Sequence, residues 1–131
     1  MTVEMISLLV FLAIFAALLL MQPLVLAKAN GMQYVMGNRD SGTATEHPAA
    51  GRLARTVNNS MEAAVLFVPL VFASQVLGTS NALTQYGAVA FVAARLAYAV
   101  LYPLGIVGLR TLVWNVGLAS LAAMAAGLLV A

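Results

Sequence analysis

"RLARTVNNSMEAAVLFVPL", residues 52–70, begins like a water-exposed helix and ends like a membrane span. Arg52, Arg55, Asn58 and Asn59 open it, one acid stands at Glu62, and an apolar run with a single proline follows. Read as a soluble helix, it makes the chain a soluble domain. Read as a span, it makes a membrane bundle whose polar residues need a reason. Composition decides between the two. Of 131 residues, 63% are hydrophobic and 8% charged, with a mean hydropathy of +1.01. A soluble domain carries about 25% charged residues. Six basic and four acidic side chains cannot cover a soluble surface.

Outward from that stretch the chain divides into spans. "MISLLVFLAIFAALLLMQPLVLA", Met5 to Ala27, is uncharged and long enough to cross a bilayer, which takes about 20 residues. A cleaved signal peptide is the competing reading. Glu4 in place of a basic n-region, the length of the run and the lack of an A-x-A site favour a retained helix. Pro23 kinks this helix or marks its last turn. Residues 28–51 form the one substantial polar segment, punctuated as a loop by Gly, Asn, Asp, Ser and Pro. The second span is expected from about residue 52 to 77. A short uncharged turn follows, where Thr79, Ser80 or Asn81 is placed to cap the third span, 82–102. Pro103, Gly105 and Gly108 stop that helix, and the fourth span, 111–131, is rich in Ala and Gly, as close packing in lipid favours. The expected fold is all-α: one domain, residues 1–131, built as an integral membrane four-helix bundle.

Four spans leave both termini on one side. Lys28, Arg39, Arg52 and Arg55 flank or occupy the long loop, and Arg110 ends the third connection. The second connection is uncharged, and the N-terminus carries only Glu4. The positive-inside rule then puts the first and third connections in the cytoplasm and both termini outside. The excess of +2 reports this orientation and not nucleic-acid binding. There is no cysteine, so thiolate nucleophiles, disulfides and cysteine metal sites are excluded, and a lone His47 makes no metal site. Trp114 fits an interfacial aromatic belt. Any thiol chemistry must use a thiol brought by a substrate.

On a helix, Arg52, Arg55, Asn59 and Glu62 fall within a wedge of about 80°, and Glu62 sits about 15 Å deeper than Arg52. Arg95, Tyr98 and Tyr102 share a face of the third span in the same way. The two helices run antiparallel, so both stripes and Arg110 converge on one half of the membrane. Each charge at a helix centre costs roughly 2.5–3.5 kcal/mol on insertion scales. A structural Glu62–Arg95 ion pair with snorkelling of Arg52 and Arg55 is the bland explanation. A buried pair breaks even at best against apolar residues, and it requires neither the tyrosines nor the asparagine. Arginine forks suit carboxylates, and Glu62 suits an ammonium or amide donor. Glutathione has two carboxylates, an amine and a peptide backbone, and it brings the missing thiol.

These residues resemble the MAPEG family, the membrane-associated proteins of eicosanoid and glutathione metabolism. The carrying segments are "GRLARTVNNSMEAAVLFVPL" and "AARLAYAVLYPLGIVGLR", with R-x-x-x-N-x-x-E at Arg55, Asn59 and Glu62, and the arginine–tyrosine pattern at Arg95, Tyr98 and Tyr102. "YVMGNRD" and "GLRTLVWNVG" look most like its bacterial branch, which implies a bacterial inner membrane. The resemblance implies a homotrimer with glutathione as co-substrate at subunit interfaces. It implies that Arg52, Arg55, Asn59 and Glu62 hold the tripeptide together with Arg95, Tyr98 and Tyr102 of a neighbouring subunit. It also implies that Arg110 holds the thiol as thiolate for a transferase or peroxidase acting on lipophilic electrophiles that arrive from the bilayer. Two other functions are compatible with the spans. One is a non-catalytic scaffold that binds lipids or partners. The other is a small multidrug exporter, which needs a deep acid in the first span, where this reading finds none.

Overall fold

The computed structural model describes residues 1–39 and 47–130. They form α1 (Val3–Asn30), α2 (Met32–Met36), α3 (Pro48–Val76), α4 (Ala82–Leu101) and α5 (Val107–Leu129). No strand occurs among the described residues. All but the short α2 are long and apolar enough to cross a membrane. Residues 40–46 of the expected polar loop lie outside the described residues.

Local chemistry sets the helix ends. Thr2 caps α1, its hydroxyl accepting from Met5 N–H at 3.3 Å. Gly31, at φ +85°, ends that helix. Pro48 occupies the first turn of α3, where its missing N–H leaves no bond unmade. Asn81 and Thr84 form a reciprocal capping box at the start of α4. The helices outrun the apolar runs. α1 passes through Pro23 and stops at Asn30, and α5 begins at Val107, so Arg110 belongs to its first turn. Much of the polar segment expected as loop is thus helical, because membrane helices continue into the interface wherever capping and backbone bonding allow.

The long helices alternate in direction, and side chains tie their ends. At one end Gln75 of α3 donates to Thr2 (2.9 Å), and Asn81 donates to the Gly127 carbonyl of α5 (2.8 Å). At the other end α3 starts where α4 stops. Between them lies an apolar core in which Phe11, Phe67 and Phe91 supply one ring each from α1, α3 and α4. The Phe67 and Phe91 rings stack at 4.2 Å, and Phe11 meets both at 5.5 Å. A second cluster, Leu18, Leu53 and Val57, carries the core toward the arginine-bearing end. Two hydroxyls of α3 are satisfied within their own helix, Thr56 on the Arg52 carbonyl and Ser60 on the Thr56 carbonyl, both at 2.9 Å.

One expectation fails at the opposite end. Glu4 is not an acid outside the first span. It lies in the first turn of α1 with 0% exposure and accepts from Ser80 Oγ (3.0 and 3.1 Å) and Thr84 Oγ1 (2.5 Å). The carboxylate trades its water for hydroxyl donors at the start of α4.

Candidate functional site

The N-terminal half of α3 faces the C-terminal half of α4 in the same chain. Their stripes meet residue by residue. Arg55 Nε donates to the Tyr102 hydroxyl at 3.0 Å, and Arg95 Nη2 donates to Asn59 Oδ1 at 2.8 Å. Arg52 Nε donates to the Pro103 carbonyl at 3.0 Å. The stripes expected to meet across a subunit interface thus also meet within one chain. α4 of the one chain already lies against α3, because both pack on α1 through the phenylalanine core.

Arg95 is the buried charge of the site, 5% exposed. Its partner is Asn59 and not Glu62. Its Cζ stands 4.5 Å from the centroid of the Tyr98 ring, where a cation meets the negative face. Its Nε is buried without a hydrogen-bond partner among the described residues. Glu62 is exposed on the flank of the site. Its one-turn offset from Asn59 puts the amide, and not the acid, opposite Arg95.

Arg110 reaches the cluster from α5. Its Cζ is 4.9 Å from the centroid of the Tyr102 ring, and that ring lies 5.3 Å from Tyr98. Arg110, Tyr102 and Arg55 thus form a continuous row across three helices.

One cavity opens on this row, and a second adjoins it at Asn59 and Trp114. The first, about 260 Å³, is lined by Asn59, Tyr98, Tyr102, Arg110, Thr111 and Trp114. The other, about 190 Å³, has Glu62 and Arg95 at one side and apolar walls including Leu66, Phe91 and Leu121. Asn59 and Trp114 line both. The belt explanation for Trp114 is therefore incomplete, since its indole divides a polar space from a greasy one. Sequence periodicity held a signal for that role, since Arg110, Thr111, Gly117, Leu118 and Leu121 of α5 line the same cavities at helical spacing from Trp114. Glu4 carried a signal too: Glu4, Ser7, Phe11 and Leu18, all buried, recur on one face of α1.

Among the described residues no group of three or more His, Cys, Asp or Glu is placed to hold a metal. The site offers guanidinium and phenol donors around a space open to an anionic ligand, with an exposed carboxylate beside it. A family model described as the MAPEG family matches residues 6–130, nearly the whole chain. No curated protein and no solved structure matches.

Proposed function

Because the chain belongs to the MAPEG family and is a multi-pass integral membrane protein, we propose that it binds glutathione between α3, α4 and α5 and transfers the thiol to lipophilic electrophiles. The observation that carries this reading is the row Arg55–Tyr102–Arg110, with Arg95 and Asn59 beside it, around two adjoining cavities in a chain that has no thiol of its own. The carboxylates of the tripeptide suit Arg55 and Arg95, its ammonium suits the exposed Glu62, and Tyr98 and Tyr102 supply hydroxyls. Arg52, expected in the same set, instead gives its Nε to the Pro103 carbonyl. Arg110 holds the sulfur as thiolate. A thiol of pKa near 8.5 is about 3% ionised at pH 7, and an adjacent arginine favours the anion. The thiolate then forms a bond to the electrophilic carbon, and the leaving group departs with the electron pair. With a lipid hydroperoxide as acceptor, two glutathiones instead supply the electrons, yielding an alcohol, water and glutathione disulfide. The electrophile approaches through the apolar cavity, which lies beyond Trp114.

The protein works in this reading as a homotrimer in a bacterial inner membrane, with the first and third connections cytoplasmic. Calorimetry on the detergent-purified protein tests the ligand, and absence of binding at millimolar glutathione overturns it. Arg110→Ala should retain binding and lose about twenty-fivefold in conjugation rate at pH 7, the ratio expected when the thiol pKa returns from about 6.5 to 8.5. Above pH 9 the two rates should converge, because the free thiol is then ionised without help. Binding without conjugation of any electrophile would instead favour a non-catalytic member of the family.

A further inference from the structure

Two arginines one helical turn apart on α3 grip the same junction. Arg55 holds the Tyr102 hydroxyl, and Arg52 holds the Pro103 carbonyl just past the end of α4. The chain must then turn back within residues 103–106. Gly105 does so at φ +80°, in the region that favours glycine. A Cβ on Gly105 would stand 3.1 Å from Arg52 Nη1 and 3.5 Å from its Cζ, so the guanidinium occupies the space beside the turn. The turn closes on itself through Gly105 N–H to the Tyr102 carbonyl (3.0 Å) and Ile106 N–H to the Leu101 carbonyl (3.1 Å). α5 starts at once with no side-chain cap at Ile106, so the connection itself sets where its first turn lies. That turn carries Arg110. A cation at the C-terminal carbonyls of α4 is also where the helix dipole favours one.

We propose that Arg52 is a positioning residue. It clasps the α4–α5 connection, and through it fixes the height of Arg110 over Tyr102. Its Nε is committed to the Pro103 carbonyl and its Nη1 lies beside the Gly105 turn, so more of this guanidinium is taken up by the chain than that of the exposed Arg55. The catalytic half of this inference rests on the glutathione reading above. The clasp itself does not.

The test uses the full chain in detergent as wild type, Arg52→Ala, Arg52→Lys and Gly105→Ala. Without ligand, hydrogen exchange is followed over residues 104–110. With glutathione and chlorodinitrobenzene, calorimetry gives the affinity and kinetics give the pH profile of kcat. Arg52→Ala should speed exchange about tenfold. It should lower kcat about tenfold, move the rising limb of the profile to higher pH, and leave glutathione affinity within about twofold. Arg52→Lys should recover part of the protection and of the pH limb, since an ammonium can donate to the same carbonyl. Gly105→Ala, which changes no charge, should reproduce the displaced limb. Unchanged exchange in Arg52→Ala overturns the clasp. A weaker affinity with an unmoved pH limb overturns the positioning role and makes Arg52 a ligand contact. If the wild type binds no glutathione, the functional reading fails alone, and exchange still decides the clasp.

Discussion

A carboxylate with no solvent exposure persists at a membrane helix end only where donors replace its water. Glu4 has Ser80 on both oxygens and Thr84 on one. The Thr84 hydroxyl has one proton and two acceptors in reach, Glu4 and the Asn81 carbonyl. The charged acceptor is the stronger of the two. Thr84→Val keeps the shape, removes the donor and leaves the carboxylate short of a partner. It should destabilise the protein by about 1–3 kcal/mol in thermal unfolding in detergent, while Thr84→Ser should recover most of the loss. A midpoint unmoved by Thr84→Val would mean that Ser80 alone satisfies Glu4. The burial of Glu4 was half legible: periodicity places it on the inward face with Ser7 and Phe11, but its partners come from a turn some eighty positions away.

α4 and α5 are the most closely packed pair of helices, and glycine permits it. A Cβ on Gly87 would lie 2.7 Å from Met124 Cγ and 2.9 Å from the Ser120 carbonyl. The methionine can bend away, but the backbone carbonyl cannot. On Gly127 a Cβ would meet Asn81 Oδ1, Leu83 and Thr84, each at 2.9 Å. Gly108, in the first turn of α5, has nothing within 4 Å. Gly87→Ala should therefore cost about 1–3 kcal/mol by overpacking. Gly108→Ala should be neutral or stabilising by up to about 1 kcal/mol through helix propensity. Thermal unfolding of the two variants side by side checks this, and equal effects would rule out the close approach as the cause. An Ala- and Gly-rich last span announces close packing from the sequence. Which glycine lies at the crossing depends on the rotation of both helices.

The whole molecule is a bundle with two polar ends and an apolar middle. One end carries Glu4, Gln75, Ser80 and Asn81, and the other carries Arg52, Arg55 and Arg110. The basic end should face the cytoplasm. A chain without cysteine makes this simple to test with His47→Cys and Thr79→Cys, which lie toward opposite ends. In intact spheroplasts a membrane-impermeant maleimide should label Thr79→Cys, and it should label His47→Cys only after lysis. The reverse pattern would invert the orientation.

The membrane class, the four spans and the wedge of Arg52, Arg55, Asn59 and Glu62 follow from the sequence alone. Hydropathy and helical period are local properties of each segment, and they survive without knowledge of the neighbours. Partners are not local. Only the tertiary structure paired Arg95 with Asn59 in place of Glu62, set Trp114 between two cavities and turned Arg52 onto the Pro103 carbonyl. Periodicity gives a residue its angle on one helix. Its partner depends on how far two helices slide and rotate past each other, and here the stacked phenylalanines and the glycine crossings settle that.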